Sequence, residues 1–407
     1  MKTSLFSVAT VFASGAVAVA LPEPRPEPTA APSPVAVEAS TTTAAVEGNP
    51  FAGYELYVNP YYSSEVHSIA IPSLQTGGKT ALIPKASAAA KVPSFVWLDT
   101  QEKVSSVKGY AEEIQKQNAA GQKVAFPLVV YNLPDRDCAA LASNGELAIA
   151  DDGVEKYKAY IDSIVTEVKA FSDLRFILII EPDSLANLIT NLGTSKCAGA
   201  ADAYKEGINY AIKNLALPNV SMYLDAAHGG WLGWPANLSP AAQLFAQVYK
   251  DAGSPPQLRG LVTNVANYNA FSIAQCPSYT QGNENCDEKK YINSFAPVLK
   301  ENGFPAQFIV DTGRNGKQPT GQQIWGDWCN IKDTGFGARP TAETGDPLVD
   351  AFVWVKPGGE SDGTSDSSAT RFDGKCASGS SLTPAPEAGN WFQAYFEQLL
   401  TNANPPL

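Results

Sequence analysis

The chain has 407 residues and a net charge of −12, from 29 lysines and arginines against 41 aspartates and glutamates. No basic cluster stands out, which argues against nucleic acid or an anionic membrane surface as a partner. With two histidines and no C-x-x-C pair the usual zinc ligands are missing, so neither a metal site nor a cofactor is expected.

The first elements are targeting and linker sequence. Lys2 precedes an apolar run from Leu5 to Ala20 that ends in Ala18-Val19-Ala20, the small residues of a cleavable leader, so residues 1–20 read as a secretion signal. The run is shorter than the roughly 20 apolar residues of a membrane span, and no later run is long enough. The expectation is a secreted, extracellular protein with no membrane partner. Residues 21–48 open with prolines at alternate positions and carry Ser40-Thr41-Thr42-Thr43 near their end, the composition of an extended linker or propeptide. Only the leader precedes them, so no binding module is expected at that end, nor after Leu407. Six cysteines in an exported chain (Cys138, Cys197, Cys276, Cys286, Cys329 and Cys376) read as disulfides, with the pairing open at this level.

From residue 49 onward, apolar β-rich runs alternate with helix-like stretches. The predicted strands are 95–99, 124–131, 175–181, 220–225, 259–264, 306–311 and 351–356, and most are continuously apolar, as strands buried on both faces must be. Between them, Val104, Val107, Ala111 and Ile114 fall on one helical face, with Gly121 as a stop; Val154, Tyr157, Ile161, Ile164, Val165 and Val168 form another. Seven strand–helix repeats predict one α/β domain over 49–407, a (β/α) barrel with about seven parallel strands. A doubly wound open sheet is the alternative; no G-x-G-x-x-G or Walker-type loop supports it.

Polar residues gather at the downstream ends of these strands: Asp99, Asp137, Asp183, Asp225, Asp311 and Lys356. In a parallel barrel those ends converge on the active-site face. Several of the acids could be helix caps or partners of Arg136, Arg314 and Lys356, and for Asp99 and Asp311 that reading is as strong as a functional one. Asp183 is different, because it directly follows an apolar strand. Burial and the nearby Asp137 would raise its pKa, giving the protonated carboxyl a glycosidase needs for its leaving group. Trp97, Trp231, Trp234, Trp325 and Trp328 fall at strand ends or in the loops after them, where flat indoles can stack on sugar rings.

Four segments then become recognisable: Leu133 to Ala140 (LPDRDCAA), Glu181 to Asn187 (EPDSLAN), Leu224 to Trp234 (LDAAHGGWLGW) and Val355 to Gly363 (VKPGGESDG). In this order they closely resemble family 6 glycoside hydrolases, the fungal-type cellobiohydrolases that act from non-reducing ends. The resemblance implies a distorted seven-stranded barrel with its active site in a loop-roofed tunnel at the C-terminal ends of the strands. It implies hydrolysis of β-1,4-glucosidic bonds in cellulose and cellodextrins with inversion, by a monomer. Position by position, Asp183 matches the general acid and Asp137 the partner carboxylate that raises its pKa and helps activate water. Asp362 matches an aspartate sometimes assigned as base, with a water relay towards Asp137 as the alternative. Tyr131 lies under the distorted sugar, and Arg136 and Ser143 belong to the same mobile loop. Trp97, Asp99, His228, Trp231, Asn267, Trp328, Lys356 and Glu360 match sugar-binding positions, Trp234 an outer platform, and Asp225 is counted with the substrate-binding acids.

The family pattern also implies the pairs Cys138–Cys197 and Cys329–Cys376. Cys276 and Cys286 depart from it and, being close in sequence, predict a third, local disulfide. The full-length 356–391 segment, with Gly358, Gly359 and Gly363, predicts a second lid and hence cellobiose release from chain ends. An endo-acting glucanase of the same family and a non-catalytic glucan-binding protein are the alternatives. Asp183 beside Asp137 argues against the last of these, because pure binding has no need of an acid pair.

Overall fold

The computed structural model describes residues 45–407. The leader over 1–20 and nearly all of the 21–48 linker lie outside the described residues. The strands are β1 (Glu55–Leu56), β2 (Val96–Leu98), β3 (Val124–Val130), β4 (Arg175–Ile180), β5 (Val220–Asp225), β6 (Leu258–Thr263), β7 (Gln307–Asp311) and β8 (Val349–Val353). All seven pairings are parallel, in the order β1-β3-β4-β5-β6-β7-β8, with β2 also on β3. β1 pairs with Val124 and Ala125 and β2 with Leu128 to Val130, so both share one edge of β3 and the sheet has seven strand positions. The two-residue β1 is too short for a sequence pattern to reveal.

The sheet curls without a full ladder between its ends. Across the seam the Phe95 N–H donates to Trp354 O at 3.0 Å, and the Trp97 indole N–H to Val355 O at 2.9 Å. Side chains complete the closure. Phe51, Phe95, Val129, Ile179, Tyr223, Ile309 and Val353 belong to one buried cluster that fills the barrel. A separate cluster joins Tyr62, Val66 and Leu74 of the N-terminal helices to Trp354 and to Tyr395, Phe396 and Leu399 of the last helix. Polar residues at seam positions would leave this edge open to water; aromatic packing covers it instead.

Helices at Ser106–Ala119, Gly153–Ala170, Ser195–Asn214, Pro235–Asp251 and Glu288–Glu301 pack outside the sheet. Val107, Ala111 and Ile114 are buried as their spacing requires, and Gly121 follows with φ +95°. One expectation fails: residues 312–348, between β7 and β8, hold no helix. Gly313, Gly316, Pro319, Gly321, Gly326, Gly335, Gly337, Pro340 and Gly345 interrupt any helical pattern there. β8 also begins two residues earlier than predicted and ends at Val353, which leaves Lys356 in the loop beyond it.

All six cysteines are paired, as Cys138–Cys197, Cys276–Cys286 and Cys329–Cys376. The first ties the loop after β3 to the helix after β4. The third ties the 312–348 connection to the segment after β8.

Candidate active site

A cavity of about 820 Å³ lies over the C-terminal strand ends. Its lining brings together Asp137, Asp183, Asp362, Tyr131, Arg136 and Ser143. Of the expected sugar positions, Trp97, Asp99, His228, Trp231, Asn267, Trp328, Lys356 and Glu360 line it as well. Two expected residues do not. Trp234 stands outside the lining, its indole N–H on Gly230 O at 3.0 Å and its ring edge-on to Trp325 at 6.3 Å. Asp225 is 3% exposed and lies behind Asp183, so it is a support and not a sugar contact.

A set of buried acids braces the loops that follow the strands. Glu181, just after β4, accepts the N–H groups of Asn132 (3.0 Å) and Leu133 (3.3 Å) from the loop after β3. Asp225, closing β5, accepts the N–H groups of Asp183 (2.9 Å) and Ala227 (3.2 Å). Asp311, closing β7, accepts those of Gly313 (2.8 Å), Ala266 (3.1 Å) and Lys356 (3.3 Å). Each acid thus fixes its own strand end or the loop of a neighbour. These bonds hold strained backbone: Glu181, Asp183, Ala227 and Ala266 all have positive φ, between 50° and 66°. Such residues cost roughly 1–3 kcal/mol each and persist only where the surroundings over-determine them.

Asp183 sits at the N-terminus of the Ser184–Thr190 helix, but its carboxylate caps no backbone N–H. Its pKa is raised well above the ordinary value, first by burial, then by Asp225 and then by Asp137. The sequence suggested Asp137 as the neighbour; the structure adds Asp225 as the larger charge effect. Burial raises the pKa of Asp225 too, to about 7, but two backbone N–H bonds oppose that rise and hold it below that of Asp183. The shared proton therefore belongs on Asp183.

Asp137 accepts the Ser143 N–H at 2.7 Å, and burial raises its pKa while that bond and Arg136 oppose the rise. Arg136 lies 4.3 Å over the Tyr131 ring and donates to Asp99 O (2.7 Å) and Ser143 O (3.0 Å). Trp97 meets Tyr131 edge-on at 5.3 Å. Lys196, which the sequence analysis passed over, donates to Arg136 O, Asp137 O and Asn144 Oδ1 from beside Cys197, and so fastens a second time the loop that carries Asp137, the first lid of the cavity.

Asp362 is 7% exposed and already well supplied with donors: Arg314 on both oxygens at 2.9 Å, the Tyr268 hydroxyl at 2.7 Å and the Asn330 N–H at 2.8 Å. A carboxylate so occupied has little lone-pair capacity left for water. His228 accepts at Nδ1 from the Gly230 N–H (3.1 Å) and from Asn269 Nδ2 (3.2 Å), which assigns its proton to Nε2. Burial lowers its pKa to about 4, so it offers the cavity a neutral N–H. At the other side Lys356 Nζ lies 3.9 Å from Glu360, while the buried carboxyl of Glu65 approaches Glu360 from behind.

The roof is formed by the two lids. The Leu141 N–H of the first donates to Asp373 of the second at 3.3 Å, and Ala142 packs on the Cys329–Cys376 disulfide. Arg371, Ala388 and Gly389 of the second lid line the cavity.

Residues 51–403 match the family described as Glycosyl hydrolases family 6. The chain is 68% identical over 367 residues to a 1,4-beta-D-glucan cellobiohydrolase C of Emericella nidulans, covering 90% of this chain and 80% of that relative. Among solved structures, the catalytic core domain of the cellobiohydrolase Cel6A from Chaetomium thermophilum superposes with a TM-score of 0.87 at 62% identity, over 89% of this chain and all of that one. Cellobiohydrolase II (Cel6A) of Humicola insolens, in complex with glucose and cellotetraose, gives 0.87 at 59% identity over 88% of this chain and all of that one.

Proposed function

This chain belongs to glycosyl hydrolase family 6, and from that premise we propose that it hydrolyses β-1,4-glucosidic bonds in cellulose and cellodextrins with inversion, releasing cellobiose from non-reducing chain ends. The observation that carries this reading is Asp183: a carboxyl held protonated by burial and by Asp225, in a cavity roofed by two lids that touch each other.

Asp183 gives its proton to the glycosidic oxygen as the bond to the anomeric carbon breaks. Water attacks that carbon from the opposite face, and its proton passes towards Asp137, whose position is fixed by the Ser143 N–H. Inversion needs room for that water, with the two carboxyl groups about 6.5–9.5 Å apart. Asp362, saturated by Arg314, Tyr268 and Asn330, serves to hold the second lid in register. Tyr131, wedged between Arg136 and Trp97, supports the distorted sugar. Trp97, Trp231 and Trp328 supply stacking surfaces. Asp99, His228, Asn267, Lys356 and Glu360 hydrogen-bond the hydroxyls.

A monomer is the form that the family resemblance implies. The chain is secreted through residues 1–20, with 21–48 as linker or propeptide and 49–407 as the catalytic domain. No helix among the described residues is long and apolar enough to cross a membrane.

The test is the early product profile on amorphous cellulose, with soluble sugars separated from new reducing ends on the solid. Cellobiose with few insoluble ends is expected. Mixed oligomers with many insoluble ends would replace this reading with an endo-acting one. Binding without sugar release would leave only a glucan-binding protein.

A further inference from the structure

The loop closed by Cys276–Cys286 has no part in the chemistry above, yet its polar side chains are aimed at one target. Asn283 Nδ2 donates to Gly229 O at 3.1 Å, and Asn285 Nδ2 donates to Gly233 O at 2.7 Å. Glu288, directly after the loop, accepts the Gly229 N–H at 2.9 Å. All three contacts fall on residues 229–233, the turn that carries Trp231 and leads into Trp234. Both amides are locked at their other ends. Asn283 Oδ1 accepts the Asn285 N–H at 2.9 Å, and Asn285 Oδ1 accepts the Ser294 hydroxyl at 2.7 Å. The two asparagines are 6% and 5% exposed, so their bonds are shielded from competing water.

The contact is also steric. A Cβ at Gly229 would meet Asn285 O at 2.7 Å, and one at Gly230 would meet the Trp325 ring at 2.7 Å. The Trp234 ring lies over Gly282, inside the disulfide loop itself. On its far side the loop is anchored by Asp287, which caps the Glu288–Glu301 helix through the Lys290 N–H at 2.8 Å. The disulfide draws the exposed start of the loop back onto that anchored end.

We propose that the Cys276–Cys286 loop is a clamp for the 229–234 platform, with Asn283 and Asn285 as positioning residues that set the grip on a glucan chain running out of the cavity past Trp231 to Trp234. Trp231 lines the cavity and Trp234 stands beyond its edge, so only a chain longer than the reacting end can use both. The clamp therefore acts on long substrates and leaves the acid chemistry at Asp183 untouched. This rests on the glucanase reading above.

The test compares two substrates on the full chain. Cellohexaose extends along the platform, whereas β-cellobiosyl fluoride places no sugar beyond the bond that breaks. For the double variant Asn283→Ala/Asn285→Ala, with the disulfide intact, KM for cellohexaose is expected to rise about tenfold, the loss of two buried hydrogen bonds. Its kcat on cellohexaose and its turnover of β-cellobiosyl fluoride should stay at the parent level. Equal losses on both substrates, or no change on either, overturn the proposal. If the double variant does not accumulate as folded protein, Asn285→Asp keeps the size, removes the donor facing Gly233 O, and is read in the same way. A parent protein inactive on both substrates would instead refute the glucanase reading.

Discussion

The backbone N–H of Asp183 is bonded to the carboxylate of Asp225 at 2.9 Å, so two buried acids meet with the charge favoured on the one behind. Asp225 also fixes the left-handed turn that aims Asp183 into the cavity. Its charge is a cause of the raised pKa of Asp183 second only to burial. Asp225→Asn keeps the shape and removes that charge, which lowers the pKa of Asp183. An acid catalyst works only while protonated, so the alkaline limb of kcat should move to lower pH, with the acidic limb unchanged. The measurement is the pH profile of kcat on cellohexaose; an alkaline limb that stays in place would assign the raised pKa to burial alone.

Arg314 and Asp362 form a second pair with a different purpose. Their side chains are 1% and 6% exposed and bond through both carboxylate oxygens. Arg314→Met leaves a buried carboxylate without its counter-charge, and breaking such a pair costs about 3–5 kcal/mol. A clear fall in Tm is expected alongside any loss of activity. Asp137→Asn, by contrast, should leave Tm near the parent value while lowering kcat by about 100- to 10,000-fold, as loss of a general base does. If Asp362→Asn lowered kcat as far without moving Tm, the base would be Asp362.

The seven main strands, and the acids that close or follow several of them, were legible in the sequence because buried parallel strands are continuously apolar and can end abruptly at a charge, as in β4 followed by Glu181-Pro182-Asp183. What the acids do there was not legible. Glu181, Asp225 and Asp311 bond to backbone N–H groups of loops up to 49 residues away, and backbone donors carry no sequence signature. Asp225 therefore read as a sugar ligand. Lys196 escaped notice for the same reason, since two of its three acceptors are main-chain carbonyls. The missing helix between β7 and β8 was legible from its glycines and prolines, but the regular spacing of the strands outweighed them.

Two sequons, Asn219-Val220-Ser221 and Asn237-Leu238-Ser239, are present, and in both the amide is already employed. Asn219 Nδ2 donates to Phe171 O at 3.3 Å and Leu174 O at 3.0 Å, and Asn237 Nδ2 to Trp231 O at 2.9 Å. A glycan on Asn237 would take one of the two Nδ2 hydrogens and have to fit beside the bond that holds the Trp231 main chain. Both peptides should keep the same mass before and after endoglycosidase treatment of the secreted protein; a mass shift at either site would show that glycosylation preceded the local fold.

Behind the sugar site, the buried Glu65 faces Glu360. Glu65 is 6% exposed, and its pKa is pushed up to about 8, first by burial and then by Glu360; Lys356 and Lys103 pull it back. Protonated, it can donate to the Glu360 carboxylate; ionised, it repels it. The folded-state pKa lies above the ordinary 4.5, so the native state binds the extra proton and its stabilisation is complete at low pH. That stabilisation is lost as pH rises towards 8, by at most about 1.4 kcal/mol per pH unit for one proton. Glu181 and Glu288, both raised to about 7 by burial, act in the same direction. Tm should therefore fall from about pH 5 to pH 8. Glu65→Gln donates to Glu360 without titrating, so its Tm should fall less steeply over that window, and its KM for cellohexaose should rise less towards pH 8. Parallel Tm curves for the two proteins would place the alkaline weakness at Glu181 and Glu288 instead, since those two acids titrate in both.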